Sequence, residues 1–143
     1  MNLFSITYVS SRTGEFVVNR IVDLAERAAA YNSVSEVTGF LCHVDGRFLQ
    51  TLEGDYDEVN RIYHTRIVPA KSHRDLRLIQ LETHQERRFP NWTMGFANIA
   101  PTDRALLQHY FPDGLEGPEQ INGVAAAEFL RALSESAETF TLR

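Results

Sequence analysis

Glu36-Val37-Thr38-Gly39-Phe40-Leu41-Cys42-His43-Val44-Asp45-Gly46-Arg47-Phe48-Leu49-Gln50-Thr51-Leu52-Glu53-Gly54 is the stretch that decides the fold. Two strand-like runs, Glu36 to Val44 and Arg47 to Gly54, flank Asp45-Gly46, a dipeptide that accepts the positive φ angles of a tight hairpin turn. The runs are expected to pair antiparallel. A period of two puts Gln50 on the face that carries Phe48 and Leu52, so an amide is aimed into apolar surroundings.

Upstream, Leu3 to Ser10 alternates in the same way, with Phe4, Ile6 and Tyr8 on one face and Leu3, Ser5, Thr7 and Val9 on the other. After a turn-like Ser10 to Gly14, the spacing of Ile21, Leu24, Ala25 and Ala28 predicts an amphipathic helix from about Glu15 to Tyr31. Downstream, Val59, Ile62, Tyr63 and Arg66 return to helical period over Asp55 to about Val68. Asp55 or Asp57 suits the N-terminus of that helix, and Pro69 ends it. Leu76 to Thr83 and Trp92 to Ile99 read as two further strands.

The order β-α-β-β-α-β with a last strand added is an α+β, ferredoxin-like arrangement with helices on one face of a sheet. Past Pro101 the pattern changes to two helical segments, Thr102 to Tyr110 and Pro118 to about Glu138. Residues 1–100 are therefore expected to form the main domain. Residues 101–143 are expected to be an appendage that docks on the free sheet face or on a partner.

Composition narrows the function classes. With 43% hydrophobic and 23% charged residues over 143 positions, the chain has a globular composition, and no window approaches the roughly 20 apolar residues of a membrane span. The start of the sequence lacks the pattern of a secretory signal, so a cytoplasmic protein is expected. A net charge of −5 weighs against a nucleic-acid partner but leaves room for a local basic pocket. The lone Cys42 is adjacent to His43 on a strand, so the two point to opposite faces, which argues against a nucleophile–base pair. The five histidines lack metal-ligand spacing, and no glycine-rich phosphate loop is present, so neither a metal nor an enzymatic activity is expected.

Tyr8 and Gln50 are the polar groups aimed at the core. An unpaired amide there would cost about 1–3 kcal/mol, so something must fill its hydrogen bonds. The residues leave two answers open: Tyr8 and Gln50 satisfy each other or the backbone, or a polar ligand supplies one end. Tyr31-Asn32 closes the first helix, where Asn32 suits a C-terminal cap. Its amide also offers a donor and an acceptor, the complement of an imide edge such as that of a flavin.

Tyr8-Val9-Ser10, Asn32, Val37-Thr38-Gly39-Phe40-Leu41, Phe48-Leu49-Gln50-Thr51-Leu52-Glu53-Gly54 and Arg88-Phe89-Pro90-Asn91-Trp92-Thr93-Met94-Gly95-Phe96 resemble, in order, the successive motifs of the BLUF family of blue-light sensors. The likeness covers about residues 2 to 99. It implies a non-covalently held FAD, with FMN as the other flavin to be distinguished, lying between the two helices. Asn32 would hold the imide edge, Gln50 would bridge Tyr8 and the flavin, and Trp92 and Met94 would be alternative neighbours of that glutamine. Tyr31 would lie near the ring, and Arg66, His73 and Arg74 match the basic positions near the phosphate end. Tyr63-His64-Thr65-Arg66 holds one residue more than the usual spacing between the aromatic and its arginine.

The resemblance also implies a mechanism. Light causes the tyrosine to give up an electron and a proton, the glutamine is left rotated or tautomerised, and flavin absorption moves to the red. Strand 5 and the C-terminal helices would carry the change to a separate signalling protein or through self-association into a homo-oligomer, because about 40 residues past the motifs leave no room for an effector domain. The alternative is a light-insensitive ferredoxin-like module that binds a small regulatory ligand.

Overall fold

The computed structural model describes residues 2–15, 17–90, 92–99, 104–115 and 121–135. Its sheet has five strands: β1 (Leu3–Arg12), β2 (Thr38–Val44), β3 (Arg47–Gly54), β4 (His73–His84) and β5 (Gly95–Asn98), in the spatial order β4-β1-β3-β2-β5. β1 pairs antiparallel with both β3 and β4, β2 pairs antiparallel with β3, and β5 runs parallel to β2 at the far edge. The hairpin turn falls at Asp45 and Gly46, both at positive φ (51° and 74°), as the dipeptide predicts. Gly39 is required by close approach: a Cβ there would lie 2.2 Å from the Thr51 carbonyl oxygen on the neighbouring strand.

Helices α1 (Val18–Val34) and α2 (Tyr56–Ile62) cover one face, and α3 (Ala105–Tyr110) and α4 (Gly123–Glu135) lie on the other. On the first face Ile21, Ala25 and Ala28 of α1 and Val59 and Ile62 of α2 meet Ile6, Leu41, Phe48 and Leu52 of the strands. On the second, Phe129, Leu130 and Leu133 of α4 meet Val9, Phe40, Cys42 and Leu49. The period of two thus feeds two separate cores, each filled by side chains worth about 1.5–3 kcal/mol apiece when fully buried. The C-terminal helices dock on the free sheet face. Asn91, Pro101, Thr102, Pro118 and Glu138 lie outside the described residues, while Tyr110, the end predicted for the first C-terminal segment, is the last residue of α3.

Several boundaries differ from the sequence reading for local reasons. α1 starts three residues after Glu15 and continues through Asn32 to Val34, so Asn32 sits inside the last turn and is not the cap. Ser35 takes the cap position, and the left-handed residue is Glu36 (φ 55°). β4 extends beyond Leu76 to Thr83 at both ends because β1 offers a partner from Leu3 to Arg12. β5 is shorter than Trp92 to Ile99, since ladder pairing with β2 begins only at Gly95.

α2 begins with Asp55, whose side chain accepts from the Asp57 N–H at 3.1 Å, as a capping aspartate should. From Tyr63 to Ile67 it widens into a π turn, marked by the Val68 N–H bonding the Tyr63 carbonyl at 2.9 Å. The extra residue noted in Tyr63-His64-Thr65-Arg66 is accommodated there.

Candidate functional site

A cleft, open at its mouth, lies between α1, the π turn and the faces of β1, β2 and β3. Tyr8 and Gln50 form its floor, opposite each other in the β1–β3 register and both buried. The β1–β4 ladder shifts register between Thr7 and Tyr8, a bulge of the kind that re-aims a side chain beside a site. The Tyr8 hydroxyl donates to Gln50 Oε1, and Gln50 Nε2 donates onward to Met94 Sδ at 3.1 Å. Two strands and the residue ahead of β5 thereby contribute one buried chain.

Burial pushes the Tyr8 phenol far above its ordinary range, and the nearby phenols of Tyr31 and Tyr63 push the same way. Tyr8 is therefore a neutral hydrogen-bond donor to Gln50. An amide is the suited neighbour, because rotation exchanges its donor and acceptor ends.

Asn32 is wholly buried; its Nδ2 donates to the Thr93 carbonyl at 2.8 Å, while its Oδ1 has no partner among the described residues. A buried polar oxygen in that state costs free energy unless a ligand donor meets it. At the mouth, the Arg66 guanidinium lies over the Tyr31 ring, 5.0 Å from its centroid. Burial raises the Tyr31 phenol, against the pull of Arg66 and Arg27. His73 is held between the Ser10 hydroxyl (2.7 Å) and the Ile67 carbonyl (2.8 Å), with its ring edge-on to Tyr8.

Two of the residues named from sequence stand apart. Arg74 is largely exposed, 3.9 Å from Asp75, and does not line the cleft. Alternation along β4 sends it away from the side that His73 presents. Trp92 is buried in the opposite core, where its ring meets Phe40 edge-on, so Met94 is the neighbour of Gln50 here.

The sequence reading also missed residues. Ser10 holds His73, a role for which its place in Tyr8-Val9-Ser10 was the available signal. Arg12, Arg20, Arg27 and Lys71, with Glu15 and Asp23, line a second cleft that shares Leu24 and Ser72 with the first. These basic residues are scattered over 60 positions, and only the fold gathers them. A neutral, hydrogen-bonding floor, an unmet buried acceptor at Asn32 beside the lining residue Tyr31, and a basic annex fit a flavin ring with a phosphorylated tail. Cys42 and His43 do point to opposite faces: Cys42 is buried in the second core, and His43 bonds Asn98 at 3.1 Å. Among the described residues no cluster of potential metal ligands occurs, and no helix is long and apolar enough to cross a membrane.

The family model of sensors of blue-light using FAD matches residues 3–95. Photoactivated adenylate cyclase subunit beta of Euglena gracilis is 34% identical over 93 residues, which is 64% of this chain but 11% of that protein. The corresponding subunit of Euglena longa is 31% identical over the same length. The chain thus spans about a tenth of the length of these curated relatives. Among solved structures, the dark state of BlrB, described as a BLUF protein, superposes with a TM-score of 0.76 at 28% identity, covering 94% of this chain and 97% of that one. The photo-activated state of BlsA shares the fold, with a TM-score of 0.81 at 22% identity over 98% and 99% of the two chains. Tyr8, Gln50 and Asn32 lie within the matched span, and the chain belongs to the BLUF family, the sensors of blue light that use FAD.

Proposed function

We propose that this chain reads blue light through Tyr8, Gln50 and Met94 and passes the change along β5 to the α3–α4 layer. The observation that carries the reading is the buried chain from the Tyr8 hydroxyl through the Gln50 amide to the Met94 sulfur, whose first two members floor a cleft, with the unmet Asn32 oxygen buried next in sequence to Tyr31 of its lining.

Bound FAD supplies blue-light absorption and an electron-accepting excited state. Asn32 holds the imide edge, Tyr31 and Arg66 close the mouth, and His73 braces the wall behind Tyr8. The basic annex of Arg12, Arg20, Arg27 and Lys71 takes the phosphorylated tail. That division favours FAD over FMN, since a second cleft gives the longer tail charged partners.

Tyr8 gives up an electron with its proton to the excited state and takes both back on recombination, and its bond to Gln50 Oε1 is broken in between. Gln50 then presents the opposite end of its amide, and Met94 loses the donor it now has. Such a rearrangement matters only where an element has two arrangements close in energy. Met94 stands directly ahead of β5, whose parallel ladder with β2 is four residues long, so a small displacement reaches the core under α4. Output goes by contact, through self-association or a separate signalling protein.

The test is a reversible spectral shift. Purified and loaded with FAD, the chain is expected to show flavin bands that move to the red under blue light and return in the dark. A chain that binds no flavin, or binds it without a shift, overturns the reading.

A further inference from the structure

Gln50 and Glu53 lie three residues apart on β3 and so project from opposite faces of the sheet. Gln50 opens to the cleft, while Glu53 is fully buried on the far side, 0% exposed. A buried carboxylate is costly unless its lone pairs are filled. Here the Thr38 hydroxyl and the Phe89 N–H donate to Oε1 at 3.0 and 2.6 Å, and the Arg88 N–H donates to Oε2 at 3.0 Å. Two consecutive backbone N–H groups thus close on one side chain, with His84 Nε2 at 3.8 Å. The Arg87 guanidinium reinforces the join from outside, donating to Thr38 Oγ1 and to the carbonyls of Glu53 and Glu36 at 2.8, 3.2 and 2.7 Å.

The connection between β4 and β5 is therefore clamped to β2 and β3 at residues 87–89. It next touches the cleft at Thr93 and Met94, through Asn32 and Gln50, and joins the sheet at Gly95. Without the clamp, a push on Met94 could be absorbed by the connection sliding. With it, the displacement has to pass into β5.

We propose that Glu53 is a positioning residue for the light response: by holding the Arg88 and Phe89 N–H groups it makes the far side of the sheet the fixed point against which Met94 moves. The inference rests on the reading that Gln50 rearranges under light.

The test compares the full FAD-loaded chain as wild type, Glu53→Gln and Arg87→Ala. Glutamine keeps the shape and one acceptor oxygen but sets an NH2 against one of the two backbone N–H groups. Both variants are expected to hold flavin and keep the wild-type red shift, because Tyr8, Gln50 and Asn32 are untouched. The lit state should decay about tenfold faster in Glu53→Gln and about threefold faster in Arg87→Ala, the scale of one charge-assisted hydrogen bond and of a weaker, more exposed set. The light-minus-dark change in amide exchange over residues 95–98 should shrink in the same order. Wild-type lifetimes with wild-type exchange differences in both variants would overturn the role of Glu53 alone. Should Glu53→Gln fail to fold, Arg87→Ala decides by the same two readouts. A wild-type chain with no red shift would overturn the Tyr8–Gln50 reading, and this inference with it.

Discussion

The Asn32 side-chain amide donates to the Thr93 carbonyl at 2.8 Å, tying the last turn of α1 to the residue before Met94. Because the partner Oδ1 is buried and unmet, the same amide that braces the segment ahead of β5 is half available to a ligand. Asn32→Ala removes both functions. Affinity for FAD is expected to fall about tenfold, the equivalent of one hydrogen bond, in a fluorescence titration. Unchanged affinity would mean that the imide edge is held elsewhere.

Tyr8→Phe and Gln50→Ala cut the buried chain at its first and second links. Each is expected to bind FAD within about threefold of the wild type, since neither residue closes the mouth, yet to lose the red shift. Each also strands a buried polar group, so each should lower unfolding free energy by about 1–3 kcal/mol in urea titrations. A surviving shift in both variants would remove the pair from the mechanism.

The π turn makes an unusual deletion tolerable. Residues 63–67 spend one residue more than an α-helix needs, while Arg66 still reaches Tyr31 and Ile67 still faces the core. Removing the exposed His64 is expected to convert the turn to α-helix and leave flavin binding intact, with melting temperature unchanged or higher. Removing Asn60, inside regular helix, should instead rotate Ile62 and Tyr63 out of the core and lower the melting temperature sharply.

Gly123, the first residue of α4, approaches the back of β4 so closely that a Cβ would stand 1.8 Å from the Ile79 carbonyl oxygen. Alanine would normally help a helix by about 1 kcal/mol. Here the clash decides the sign: Gly123→Ala is expected to lose about 1–2 kcal/mol net and to shift α4 on the sheet. A melting curve gives the first, and chemical-shift changes at Ile79 and Gln80 the second.

Strand periodicity and one turn dipeptide were enough to read the sheet, because alternation and a positive-φ turn are local properties. Tyr8 and Gln50 were legible as a pair for the same reason: each breaks an apolar face, and the β1–β3 register sets them opposite each other. What the sequence could not show depends on approach in space. Trp92 and Met94 are two residues apart in the motif, yet they end in different cores, because the chain between the Arg88–Phe89 join and the ladder at Gly95 carries one to each side of the sheet. Arg27 and Lys71 carry no local signal of sharing a cleft. Glu53 looked like part of a motif, and its contacts with Arg88 and Phe89 span 35 and 36 residues.

β1 sits between β3 and β4, so the strand that bears Tyr8 depends on neighbours that come later in the chain. As the polypeptide emerges from a ribosome, Tyr8 waits for Gln50, and β1 waits again for a strand that ends at His84. Pairings so distant in sequence carry a large loop-closure cost and form late. The lining of the cleft runs from Tyr8 to His73, so its walls are complete only once the chain has reached the start of β4.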